Sequence, residues 1–151
     1  MISVQTEPFD PGALLARFSA GHTDTGGIVS FTGVARAAND GKAVTTLELD
    51  AFPGFTDKMI EALVQDAHAR FAIQDALVVH RYGAIAPGEA IVFVACAAAH
   101  RRAAFEAADF LMDKLKTQAP FWKKETGPDG ERWIEPRASD YQDLTRWSDR
   151  P

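Results

Sequence analysis

Residues 76–82 and 90–98 are nearly unbroken apolar runs, the second reading Ala-Ile-Val-Phe-Val-Ala-Cys-Ala-Ala. Their length and β-branched content predict two strands at the centre of a sheet. The short connection over 83–89 carries Pro87-Gly88 and predicts a hairpin between them. Shorter β patterns occupy 2–6, 27–33 and 44–52, and two more, 121–125 and 131–134, flank the turn signal Gly127-Pro128-Asp129-Gly130. Helical periodicity appears three times. Asp10-Pro11 is a helix start with a capping acid and proline at the first position, followed by Leu14, Leu15 and Phe18. Met59, Ile60, Leu63, Val64, Ala67 and Phe71 recur at helical spacing after a proposed Thr56 cap. Over 101–117, Phe105, Ala108, Leu111, Met112 and Leu115 are expected on one face, with Pro120 as the stop.

Hairpins interleaved with helices predict an α+β fold with a largely antiparallel sheet and packed helices. The series reads as one domain over 1–151. Residues 36–42 read as a mobile polar loop, and the chain from Ala138 as a polar, weakly specified tail.

Charge and composition narrow the chemistry. The net charge of −5 argues against general nucleic-acid binding. Residues 101–125 nevertheless carry six cations against four acids, a cationic segment in an acidic chain. No stretch approaches a membrane span or a secretory leader, which places the chain in the cytoplasm, away from membranes. The single cysteine, Cys96, lies inside an apolar strand, where a thiol is buried and inert. His22, His68, His80 and His100 share no ligand spacing, so no metal site is expected. His80 reads as a structural histidine. No phosphate loop, dinucleotide turn or nucleophile elbow occurs, and no cofactor is implied.

Two clusters keep a chemical reading. His100-Arg101-Arg102 stands at a strand-to-helix junction, where free N–H groups favour an anion, and cations there oppose the helix dipole unless an anion compensates. Lys116 and Lys123 bracket a helix end, a proline turn and two aromatics. A lysine held against such walls can have its pKa lowered and act as acid, base or nucleophile; the alternative is a helix-end charge and an exposed hairpin residue.

Residues 80–125 resemble the molybdopterin synthase catalytic (large) subunit family. The likeness runs through His80-Arg81-x-Gly83, Pro87-Gly88-Glu89, Ala99-His100-Arg101, Ala104-Phe105-Glu106-Ala107 and Leu115-Lys116-Thr117-x-Ala119-Pro120-Phe121-Trp122-Lys123-Lys124-Glu125. It extends upstream to Phe31-Thr32-Gly33-Val34-Ala35-Arg36, with Ala35 a departure, and downstream to Asp129-Gly130-Glu131-Arg132-Trp133. Asp50-Ala51-Phe52 and Phe55 also depart from the family pattern. The resemblance implies an α/β-hammerhead-like fold and a sulfurtransferase that makes the molybdopterin dithiolene from cyclic pyranopterin monophosphate. The implied sulfur donor is a small ubiquitin-like subunit ending in a Gly-Gly thiocarboxylate, and the implied assembly is a homodimer core in a heterotetramer. It implies substrate contacts at Val34, Ala35, Arg36, His100, Arg101, Lys116, Lys123, Lys124 and Glu125, with Lys116 and Lys123 nearest the chemistry. Two other readings are a non-catalytic scaffold for a ubiquitin-like tail and a different enzyme of pterin or phosphate-ester metabolism. Retention of Arg36, His100, Arg101, Lys116 and Lys123 together argues against the scaffold.

Overall fold

The computed structural model describes residues 1–148. In chain order they form β1 (Ile2–Gln5), α1 (Pro11–Ser19), β2 (Gly27–Val34), β3 (Ala38–Asn39), β4 (Lys42–Ala43), β5 (Thr46–Asp50), α2 (Phe55–Arg70) and β6 (Ile73–Arg81). There follow β7 (Gly83–Ile85), β8 (Ala90–Ala98), α3 (Arg101–Thr117), β9 (Trp122–Gly127), β10 (Gly130–Ile134), α4 (Ala138–Leu144) and a 3-10 turn, Thr145–Trp147.

The first sheet has the order β1-β6-β8-β2, antiparallel except for the β1–β6 pair. The two apolar runs are its centre, with Val78 opposite Val94 and His80 opposite Val92. Both of its faces are covered, which is why the runs do not alternate with polar residues. Val78, Val92, Val94 and Cys96 pack on α2 and α3, while Leu77, Val79, Phe93 and Ala95 pack on α1. Helix α1 starts as its cap predicts: the Asp10 carboxylate accepts from the backbone N–H groups of Gly12 and Ala13 at 2.9 and 3.2 Å.

The second sheet, β10-β9-β5-β7, is entirely antiparallel. Strand β7 follows β6 after one residue, so the chain leaves the first sheet at Arg81 and enters the second at Gly83, where φ is +88°. The inner face of this sheet buries Ala35, Leu47, Leu49 and Ile85. No helix among the described residues is long and apolar enough to cross a membrane.

Four local expectations are corrected. Residues 36–42 form a hairpin: Asp40 and Gly41, with φ of +50° and +76°, make its turn, and Asn39 is buried. Gly127 lets this hairpin approach β9, since a Cβ there would lie 2.1 Å from the Ala43 carbonyl oxygen. Helix α2 begins after Gly54 and not at a Thr56 cap; the Thr56 hydroxyl is buried and accepts from the Phe52 N–H at 2.9 Å. Phe105 is 58% exposed, because the buried stripe of α3 runs through Ala104, Ala107, Ala108, Leu111 and Leu115. The tail is ordered through Trp147, which packs edge-on against Phe71 and Phe110 and donates from Nε1 to Asp113 at 2.7 Å.

Trp147 therefore anchors the whole segment that follows β10. Trp147→Ala is expected to lower unfolding free energy by about 3–5 kcal/mol, the usual cost of deleting a buried indole. Urea denaturation measures this; a change below about 1 kcal/mol would refute the anchor.

Candidate active site

The two sheets and α3 enclose a cavity of about 430 Å³. Each wall has an identifiable cause. At the end of β2 the register with β8 shifts between Gly33 and Val34, and a Cβ on Gly33 would lie 2.6 Å from Val92 Cγ1. The chain then turns inward, and Ala35 is pinned to the Pro87-Gly88-Glu89 turn on both sides of its backbone. Its N–H donates to the Glu89 carbonyl at 2.9 Å and its carbonyl accepts from Gly88 N–H at 2.8 Å. That turn is held by buried Arg81, which pairs with the Glu89 carboxylate at 2.9 Å and donates to the Thr6 carbonyl at 3.2 Å. The carboxyl of Glu89 is held below its ordinary range, first by the Ala86 N–H and then by Arg81. Pinning Ala35 places Val34 and Arg36 on the cavity wall.

Lys116 reaches the cavity from the last turn of α3, and Lys123 from β9. They are seven residues apart in sequence, but Pro120 ends the helix and the chain returns as a strand. Burial and the neighbouring charges of Lys116, Arg36 and Arg137 lower the pKa of Lys123, against an opposing effect of Glu125. Strand alternation explains the next two residues. Glu125 points inward with Lys123 and is 6% exposed. Lys124 faces outward, where it lies over the Trp133 ring and pairs with Glu48 and Glu131 at 3.4 and 3.6 Å. Those two carboxylates, Glu131 first, raise its pKa.

Of the residues singled out from sequence, the cavity thus unites Val34, Ala35, Arg36, Lys116, Lys123 and Glu125. The side chain of Lys124 lies on the other face of its strand. His100 and Arg101 are exposed at the opposite end of α3 and do not line the cavity. Cys96 is fully buried, and burial pushes its thiol up to about 12, so it takes no part as a thiolate.

Among the cavity residues outside that set are His80, Asn39 and Arg137. His80 is buried, stacked on Phe121 with ring centroids 3.9 Å apart. Its Nδ1 lies 2.9 Å from the Arg81 carbonyl oxygen. A carbonyl only accepts, so Nδ1 carries the hydrogen and Nε2 is left with a lone pair. Burial, then the nearby Lys116 charge, outweigh that hydrogen bond and bring the His80 pKa down to about 4. His80 is thus a neutral acceptor in a cationic cavity. Asn39 and Arg137 belong to a polar network with Glu125. The Glu125 carboxylate pairs with Arg132 at 3.0 Å and accepts from Asn39 Nδ2 at 2.8 Å. Asn39 Oδ1 accepts from Arg36 at 3.2 Å and from Arg137 at 2.7 Å. A turn-forming Asn and a charged tail gave no sign in sequence that they would converge on Glu125.

Known proteins bear on this geometry. A family model described as MoaE protein matches residues 4–118. The chain is 57% identical over 147 residues to the molybdopterin synthase catalytic subunit of Caulobacter vibrioides, covering 97% of each. Its fold matches the molybdopterin biosynthesis MoaE protein of Burkholderia ambifaria with a TM-score of 0.82 and 42% identity, over 98% of this chain and 97% of that one. It also matches a chain from the complex of subunits 1 and 2 of the molybdopterin-converting factor of Helicobacter pylori. There the TM-score is 0.75 at 18% identity, covering 90% of this chain and 91% of that one, a likeness of fold.

The neutral His80 gives a pH signature. Its folded pKa lies below the unfolded value, so its contribution to stability is present above about pH 6.5 and is lost as pH falls toward about 4. The span corresponds to about 3 kcal/mol. Chemical denaturation of the wild-type chain and a His80→Gln variant across that range should show a shallower loss in the variant; parallel slopes would contradict a neutral His80.

Proposed function

The chain belongs to the MoaE protein family, and we propose that it is the catalytic subunit of a molybdopterin synthase. It takes sulfur from the C-terminal thiocarboxylate of a small ubiquitin-like subunit and installs it on cyclic pyranopterin monophosphate to form the dithiolene. The observation that carries this reading is the meeting of Lys116 and Lys123, from a helix and a strand, in a cavity that also presents Arg36. Both reactants are anions, and such a cavity attracts them. The buried thiol of Cys96 supports a sulfur source outside the chain. We assign the reaction to the cytoplasm.

Within this reading the two lysines divide the work. Lys123, whose pKa is lowered, is the better proton carrier as the cyclic phosphate opens. Lys116 supplies positive charge to the anion that develops on the attacked carbon's substituents. With Nδ1 committed to the Arg81 carbonyl, His80 Nε2 is free to accept a hydrogen bond from the substrate and adds no charge.

His100 and Arg101 also find a place. Helix α3 separates Arg101 from Lys116 by fifteen residues, about 22 Å along its axis. We propose a twofold dimer in which His100 and Arg101 of one chain complete the cavity of the other, with one small subunit bound at each site.

The direct test mixes the purified chain with thiocarboxylated small subunit and the cyclic precursor, and follows dithiolene product and loss of the donor's sulfur. Lys116→Ala and Lys123→Ala should each cut turnover by about a hundredfold or more with folding intact, whereas Cys96→Ala should keep most activity. Wild-type rates in either folded lysine variant would remove that residue from the mechanism. For the shared site, Arg101→Ala and Lys116→Ala proteins are mixed under subunit exchange. Each mixed dimer has one intact site, so about a quarter of wild-type activity should return. No recovery despite demonstrated exchange would refute the shared site.

A further inference from the structure

The amide of Asn39 has a fixed orientation. Its oxygen accepts from Arg36 Nη2 at 3.2 Å and from Arg137 Nη2 at 2.7 Å, while its nitrogen donates to Glu125 Oε1 at 2.8 Å. A flipped amide would aim two hydrogens at two guanidinium groups and an oxygen at a carboxylate, so only one orientation satisfies the site. The arrangement separates charges that would otherwise neutralise one another. Glu125 is occupied by Arg132, which holds Oε2 through Nε and Nη2 at 3.2 and 3.0 Å. Asn39 then stands between that carboxylate and the two other arginines. Arg36 is in no ion pair among the described residues. Among the described residues the one charged partner of Arg137 is Asp40 at 3.5 Å, an exposed pair of little strength.

Two guanidinium groups therefore reach one oxygen atom from the same cavity, side by side, with hydrogens left for another ligand. Like charges are brought together at a cost unless an anion joins them. Their effect is felt at Lys123, which both lie close enough to perturb. Planar guanidinium pairs of this kind match the paired oxygens of phosphate and carboxylate.

We propose that Asn39 is a positioning residue that sets Arg36 and Arg137 as a clamp for an oxyanion of the bound reactants, a phosphate or a terminal carboxylate, with Arg137 its second ligand. This rests on the sulfur-transfer reading for the identity of the reactants, though not for the clamp itself. A structural role for Arg137 predicts something different. Its backbone N–H already meets Asp140 at the start of α4, a bond that loss of the side chain leaves in place.

Arg137 is 54% exposed, so Arg137→Ala should fold even if the buried Asn39→Ala does not. Steady-state kinetics are measured for wild type, Arg137→Ala, Arg137→Lys, Asn39→Ala and the double alanine variant, varying the pterin and the thiocarboxylated subunit separately. Calorimetry with two probes, inorganic phosphate and a peptide ending in a Gly-Gly carboxylate, reads binding without turnover. Arg137→Ala should raise KM for one reactant by about tenfold or more, with kcat changed by less than about threefold and Arg137→Lys recovering part of the loss. Asn39→Ala, where it folds, should affect the same reactant, and the double variant should be no worse than the poorer single one. A KM effect on the pterin paired with weaker phosphate binding assigns the clamp to phosphate. An effect on the donor paired with weaker peptide binding assigns it to the carboxylate. Unchanged KM for both reactants and unchanged binding of both probes in folded Arg137→Ala would overturn the clamp while leaving sulfur transfer standing. A wild-type chain that binds a probe more tightly than Arg137→Ala but never forms dithiolene would do the reverse. Absence of both turnover and probe binding would overturn both.

Discussion

A carboxylate withdrawn from water organises this site. Glu125 is 6% exposed, and an ionised group at that depth is tolerated only with charge and hydrogen bonds around it. Arg132 from the neighbouring strand supplies the charge and Asn39 from a short hairpin supplies the remaining bond. Arg132 also donates to the Asn39 backbone carbonyl at 2.9 Å, so it holds the hairpin and the carboxylate together. The result joins three segments distant in sequence: the β3–β4 turn, the β9–β10 hairpin and the chain leading into α4. Removing one partner from such a set leaves a buried charge exposed to its own desolvation, at a cost of about 3–5 kcal/mol. The cations of the cavity are placed by this same set, since Arg36 and Arg137 rest on the amide that Glu125 orients.

The remaining walls follow from how the two sheets are joined. Strands β6 and β7 are one length of chain bent at Tyr82-Gly83, and the Arg81–Glu89 pair closes the turn beyond it. Because that turn bonds both sides of Ala35, the position of Arg36 depends on a salt bridge that does not touch the cavity. This explains why a motif such as Pro87-Gly88-Glu89 can accompany a catalytic family without contributing a reactive group. On the opposite wall, the α3-to-β9 reversal brings Lys116 to Lys123. Their mutual repulsion and the burial of Lys123 act in the same direction on its proton.

Local pattern carried much of this. The paired apolar runs, the Asp10 cap, the span of α3 and the Gly127–Gly130 turn were legible because each depends on neighbouring residues. Lys116 and Lys123 drew attention by their setting and, with Arg36, by resemblance, and the fold brings all three to one cavity. What escaped was set by distant contacts. Phe105 reads as core by spacing, yet α3 is covered only along its alanine-lined stripe and leaves that ring outside. Asn39 sits in a string of turn formers, and only Glu125, 86 residues away, makes it a buried hydrogen-bond node. The tail after Ala138 looks polar because a single residue, Trp147, does most of its packing. His80 reads as structural, and it is bonded as one, but its free nitrogen belongs to a cavity that sequence could not outline.

The charge distribution along α3 adds a final constraint. Arg101 and Arg102 stand in its first turn, where the helix dipole opposes cations, and the first turn holds no acid to offset them. Lys114 and Lys116 stand in its last turn, where the dipole favours them. A helix that served only its own chain would gain by exchanging these ends. Retaining arginines at the unfavourable end makes physical sense if an anion is supplied there from outside the chain. In the shared-site reading that anion is the substrate held by the partner's lysines. One bound ligand then offsets the arginines at the start of one chain's helix and the lysines in its partner's cavity, so substrate binding and the pairing of two chains strengthen one another.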